Sequence, residues 1–231
     1  MTLKTASQPF RFYTRLNLVE LTGRRAKNIA ELLKQIEEVE DAVIYHHTHR
    51  FLQQYQYLSP EPPNDFAYWV REILDDPVLG ELLQSINVCD YDSISALRKK
   101  IADTIRNHLA SARKSSLKTA PEGGEFYFLK SRPFIFHTPY EARTLEEFLT
   151  YLQEVSIDSL YFHLFEARLR LGRSTNDFSF WLETSLGEAE LAEKICRLDP
   201  YTHTLAGLKN RIVVMISKRL KKEDVTVGRD Y

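Results

Sequence analysis

The run Tyr45-His46-His47-Thr48-His49-Arg50 gathers the side chains best suited to chemistry in this sequence. On a helix, His46, His49, Arg50 and Gln53 stand at i, i+3, i+4 and i+7 and share one face, while Ile44, His47, Thr48, Phe51 and Tyr55 share the other. His46 and His49 could therefore offer two imidazoles to one divalent metal, with Asp65, Glu61 or a residue of the other half of the chain as third ligand. The spacing is not the His-Glu-x-x-His of a zinc protease, and no cofactor is predicted from it. The competing expectation is a solvated helix face that is polar because it is exposed. His47 differs from its neighbours, because a second histidine, His163, also lies two residues after a tyrosine, Tyr161, as His47 lies after Tyr45. One expectation is a core histidine bonded through its ring nitrogens. The other is a pocket about a pseudo-twofold axis lined by Tyr45, His47, Tyr161 and His163.

Other catalytic patterns are missing. There is no Gly-x-Ser-x-Gly elbow and no glycine-rich phosphate loop, and the paired glycines Gly123-Gly124 fall in a polar stretch. Asp65 and Asp177, each following an asparagine and preceding an aromatic residue, read as helix caps rather than acids. Cys89 and Cys196 are far apart and outside any metal-binding spacing, which predicts small buried thiols in a reducing, cytoplasmic setting. Neither a signal peptide nor a membrane-spanning run is legible.

The elements that must position these residues come in pairs. Displacing the sequence by 116 residues brings Phe10-Arg11-Phe12 onto Phe126-Tyr127-Phe128, Leu33 onto Leu149, Tyr45 onto Tyr161 and His47 onto His163. A displacement of 112 then brings Asn64-Asp65-Phe66 onto Asn176-Asp177-Phe178 and Trp69 onto Trp181. Two tandem halves follow, 10–112 and 126–220, joined by a linker over 113–125 and packed about a pseudo-twofold. Each half opens on an aromatic, alternating stretch that predicts a strand, followed by about five helices. The fold class is mostly α, within α+β. The tryptophans read as core anchors.

The halves differ where His46, His49 and Gln53 become Phe162, Phe165 and Leu169. A helix so apolar all round is buried on both sides or meets a partner. Phe162, Phe165 and Leu169, with Tyr55 and Tyr57 beside the proline-rich stretch Ser59-Pro60-Glu61-Pro62-Pro63, are the candidate interface. The 231 residues carry 31 basic and 32 acidic side chains, so no molecule-wide basic field exists to attract nucleic acid or an anionic membrane. Local basic runs on the fifth helices, Arg98-Lys99-Lys100 and Lys218-Arg219-Leu220-Lys221-Lys222, leave nucleic-acid binding as an alternative, although they lack aromatic platforms.

His47-Thr48-His49-Arg50-Phe51-Leu52-Gln53-Gln54, Leu58-Ser59-Pro60-Glu61-Pro62-Pro63-Asn64-Asp65-Phe66-Ala67-Tyr68-Trp69 and Leu198-Asp199-Pro200-Tyr201-Thr202-His203-Thr204-Leu205 resemble an uncharacterised prokaryotic family, domain of unknown function 5752. The likeness extends from Phe10 to about Ile216 and implies a cytoplasmic prokaryotic protein without an activity to carry over. Tyr161-Phe162-His163 with Asn176-Asp177-Phe178-Ser179-Phe180-Trp181 is also similar to helical segments attached to other domains, which implies a docking module. The resulting expectation is a non-enzymatic interaction or regulatory module with a protein partner or a second copy. The alternatives are a metal-dependent enzyme built on His46 and His49 and a nucleic-acid binder.

Overall fold

Most helices begin where the sequence supplies a side-chain acceptor for their free N–H groups. A computed structural model describes residues 4–54, 64–111, 118–167, 169, 175–198 and 204–227. The first strand, β1 (Phe10–Ala26), leads to α1 (Ile29–Glu38), capped by Asn28, whose side chain accepts from the Glu31 amide at 2.9 Å. Then come α2 (Asp41–Gln54) and α3 (Asp65–Tyr68), the latter capped by Asn64 and prolonged by a π-helical turn over Trp69–Ile73. Next is α4 (Pro77–Gln84), whose proline sits in the first turn behind the cap Asp76. A short 3-10 turn at Val88–Asp90 precedes α5 (Ile94–Ser111).

The same order follows again. Strand β2 (Phe126–Ala142) leads to α6 (Leu145–Glu154), opened by a capping box of Thr144 and Glu147. After it come α7 (Ile157–Tyr161), prolonged by a π-helical turn over Phe162–Glu166, and α8 (Asp177–Thr184), capped by Asn176. The chain ends on α9 (Ala189–Cys196) and α10 (Leu205–Val227). Both strands belong to one two-stranded antiparallel sheet. With no third strand among the described residues, each has an edge unpaired there, and β2 accommodates Pro133 and Pro139, which have no N–H to donate. The predicted mostly helical α+β class is the observed one.

The chain divides into two compact units that do not follow the sequence halves. Among the described residues, one unit runs from Asn17 to Pro133 and holds α1 to α5. The other holds the residues up to Leu16 and those from Phe134 onward, with α6 to α10. Each strand is shared between the units, so the aromatic start of each half sits with the helices of the other half. In the α1–α5 unit, Phe126 packs against Phe66, Trp69 and His47, with ring centroids 5.2, 5.7 and 4.7 Å away. In the α6–α10 unit, Phe10 packs against Phe148, Phe178, Trp181 and His163 at 5.2, 5.4, 5.5 and 4.9 Å. Both tryptophans are buried, and each indole N–H donates at 2.7 Å to a carbonyl two residues before a buried phenylalanine: Trp69 to Gly124, and Trp181 to Gln8.

The described part of the expected linker is an ordered arm. The Ala120 N–H donates to the Lys27 carbonyl at 2.7 Å and Lys118 pairs with Asp75. In the other unit the Ala6 N–H donates to the Arg143 carbonyl at 2.7 Å, and Lys4 lies 3.9 Å from Glu188. The signal was available in the sequence: Lys4-Thr5-Ala6 recurs as Lys118-Thr119-Ala120, with two more residues before the second strand.

Candidate functional site

His47 and His163 hold the strands. The Leu129 N–H donates to His47 Nε2 at 2.9 Å, which requires that nitrogen to be unprotonated, so Nδ1 carries the hydrogen and donates to Asp65 at 2.8 Å. In the other unit the Tyr13 N–H donates to His163 Nε2 at 2.8 Å, and His163 Nδ1 donates to Asp177 at 2.7 Å. Both rings are buried, and each is ringed by the phenylalanines of its own core. Asp65 and Asp177 are therefore not caps, as their position suggested; the preceding asparagines cap, and the aspartates orient histidines. Of the four residues expected to line one pocket, Tyr45 and His47 lie in the α1–α5 unit, and Tyr161 and His163 in the α6–α10 unit. Tyr45 is half-buried and stacked on His49, whereas Tyr161 is fully buried beside Phe165.

The polar face of α2 is not solvated. His46, Thr48 and His49 are buried, and Ser131 of β2 is buried with them. Arg50 donates to His46 Nε2 at 3.3 Å, which leaves Nδ1 to donate to Ser131 Oγ at 2.9 Å. Burial, reinforced by the charge of Arg50 and opposed by that of Asp65, pushes the His46 pKa down to about 4. Thr48 donates to the Ile44 carbonyl at 2.7 Å, so His49 Nδ1 donates to Thr48 Oγ1 at 2.8 Å. In this structure His46, His49 and Asp65, the candidate metal ligands, each make hydrogen bonds within the chain. Both His46 nitrogens and the Asp65 carboxylate are engaged elsewhere, and among the described residues no group of three or more His, Cys, Asp or Glu side chains is placed to hold a metal ion. A Ser-His pair at 2.9 Å resembles a nucleophile and base, but an arginine on the far nitrogen and a depressed pKa oppose general-base action.

Where the α1–α5 unit has Ser131, His46 and Arg50, the α6–α10 unit has Arg15, Phe162 and Glu166. Arg15 and Glu166 form a buried ion pair, and Phe162 packs against Tyr13 and His163. Phe162 and Phe165, expected to face a partner, are buried within the chain, and Leu169 is half-buried. The apolar pattern of α7 is explained by burial on all sides. Tyr55, Tyr57 and the proline-rich stretch lie outside the described residues. Cys196 is half-buried rather than fully buried.

Four cations of the fifth helices have partners in the chain. Arg98 pairs with Asp41, Arg106 with Glu37 and Asp103, and Arg219 forks onto Glu188 at 2.8 and 2.9 Å. Lys209 donates to the Gln153 and Val155 carbonyls. What is unusually exposed is apolar. In the α6–α10 unit the strands present Leu16, Phe134, Ile135 and Phe136 to solvent, each about half exposed; in the α1–α5 unit β1 presents Leu18, Val19 and Leu21, the last 76% exposed. The α6–α10 unit also contains a cleft of about 780 Å³, bounded by Pro9, Arg11, Arg143, Phe162, Phe180 and Trp181 among others.

Fold and geometry together define a mostly helical α+β protein in which buried histidines secure strands. The chain belongs to a family of unknown function (DUF5752), whose model matches residues 7–217, as the residue pattern implied. It is similar to the solved structure of OrfY from Thermoproteus tenax, with 29% identity and a TM-score of 0.78 over 93% of this chain and 96% of that one. No curated protein gives a match. No helix among the described residues is long and apolar enough to cross a membrane.

Proposed function

We propose that this chain is a non-enzymatic protein-interaction module of prokaryotic cytoplasm, derived by tandem duplication, whose docking element is its two-stranded sheet and whose partner is a second copy of itself. The observation that carries the reading is the row of exposed Leu, Val, Ile and Phe side chains on β1 and β2. Phe134 with Phe136, and Val19 with Leu21, stand at alternate strand positions and so share a face, exposed apolar surface of a kind that monomers rarely tolerate, and unpaired strand edges add backbone groups that a partner can match. The histidines support this reading indirectly, since a ring that accepts from a backbone amide is occupied with architecture. Matching caps, histidine dyads and indole bonds in the two halves support the duplication.

The test is sedimentation equilibrium of the whole chain beside the variants Leu18→Lys, Leu21→Lys and Phe134→Lys. Since these positions are exposed, each change should alter stability by less than about 0.5 kcal/mol. The wild type is expected to associate at micromolar concentration, and the charged variants to be monomeric with unchanged melting temperature. A wild type that stays monomeric at several hundred micromolar would overturn the reading.

A further inference from the structure

The cleft in the α6–α10 unit has a counterpart position in the α1–α5 unit, and there the chain fills it with a carboxylate of its own. Glu125 precedes Phe126 as Pro9 precedes Phe10. Its side chain is 9% exposed, lies 3.9 Å from both Arg25 and Lys27, and accepts from the Gly123 N–H at 3.1 Å. In the α6–α10 unit Arg143 matches Lys27 and keeps that cation, Glu141 stands where the other half has Arg25, and Pro9 replaces Glu125, so the carboxylate is moved rather than lost. A second cation is gained, because Arg11 stands where the other half has Tyr127. Glu141 accepts from Arg11 Nε at 3.0 Å and from Arg143 at 3.1 Å. One carboxylate thus holds two guanidinium groups side by side at the mouth of the cleft, and both arginine side chains remain more than half exposed. Asp177, the other charged group on the wall, accepts from His163 and sits in the first turn of α8.

Below the arginines the wall is apolar. Phe162 stands where the other half has His46, and Trp181 donates its N–H to the Gln8 carbonyl; both side chains are largely buried and border the cleft with only their remaining exposed edges. Phe180 is 40% exposed at the rim. A volume of about 780 Å³ falls within the roughly 300–1,000 Å³ of small-molecule sites, and apolar walls with a few convergent polar groups are their usual lining. Guanidinium forks match carboxylate and phosphate oxygens in geometry and charge.

We propose that this cleft binds a small organic anion, a carboxylate or phosphate monoester on a flat apolar body, with the anion on Arg143 and Arg11 and the body against Phe162, Phe180 and Trp181. The Glu125 site is the internal precedent for the anion. The cleft shares Ile135 with the sheet surface proposed above for docking, and its test reads ligand binding rather than association.

Isothermal titration of the full chain with phenyl phosphate and with 1-naphthoate tests it, with inorganic phosphate and benzyl alcohol as the single-feature controls. Both probes should bind saturably, and each control at least about tenfold more weakly, since neither satisfies both walls and cations. Arg143→Gln, an exposed change, should weaken the probes by about tenfold or more, the size of one charge-assisted hydrogen bond. Phe180→Ala should weaken them several-fold. Lys27→Gln, at the matching place in the other unit, should leave both affinities unchanged. The proposal is overturned if the wild type shows no saturable binding, if Arg143→Gln binds as tightly as the wild type, or if Lys27→Gln weakens binding equally.

Discussion

A buried imidazole that accepts from a backbone amide and donates to a carboxylate is locked in one tautomer, and it secures a strand as a backbone carbonyl would. His47 and His163 are used in this way. Their core position was legible, because each recurs two residues after a tyrosine amid apolar neighbours. Their partners were not, since the amides come from Leu129 and Tyr13, far along the chain. His46 misled for the opposite reason: a polar stripe of helical period reads as exposed, and only the arrival of Ser131 from β2 makes it interior. The depressed His46 pKa sets a pH dependence. An unfolded His46 titrates near 6.5 and the folded one near 4, so the unfolded chain takes up the proton first. The neutral ring's contribution is complete above pH 6.5 and is lost as pH falls through that window, by up to about 3 kcal/mol in all. Urea denaturation at pH 7.5 and 5.0 should show about 2 kcal/mol of this loss in the wild type. His46→Phe, the residue of the other half, should remove that part of the difference, and an unchanged pH difference would refute the assignment.

At the scale of elements, the two halves solve one problem with different chemistry. In the α1–α5 unit, α5 is tied to the start of α4 by His108, which donates to Asp76 at 2.9 Å. The matching residues of the other unit are Arg219 and Glu188, which tie α10 to the start of α9. Element order and caps could be read from the asparagines and from Pro77, whereas these ties could not, because aligned positions carry no common residue type. The two ties also differ in weight. Asp76 and His108 are both buried, and Asp76 also accepts from the Leu79 N–H at 3.1 Å as the cap of α4. Asp76→Ala should therefore cost about 2–4 kcal/mol, through loss of the cap and of a buried partner. The Arg219 side chain is 31% exposed and Glu188 caps with no side-chain bond, so Glu188→Gln should cost only about 1 kcal/mol. Chemical denaturation that ranked the two variants in the reverse order would contradict this account.

For the molecule as a whole, the decisive feature is that each compact unit draws the aromatic start of its sheet from the other half of the sequence. Periodicity could locate the halves but not this exchange, since Phe10-Arg11-Phe12 and Phe126-Tyr127-Phe128 are alike enough to fill either core. The likeness yields a prediction. A fragment of residues 1–112 has α1 to α5 but lacks Phe126, Phe128 and the Leu129 amide, so as a monomer it leaves His47, Phe66 and Trp69 without the strand that covers them. Its own Phe10 to Tyr13 segment can supply the missing strand to a second fragment, and reciprocal exchange then gives a dimer. Folding of the fragment should accordingly be coupled to dimerisation, with a melting temperature that rises with protein concentration. Phe12→Asp should abolish the cooperative melt of the fragment. A fragment that melts cooperatively as a monomer, at a temperature independent of concentration, would mean that the α1–α5 helices need no strand from outside their own half.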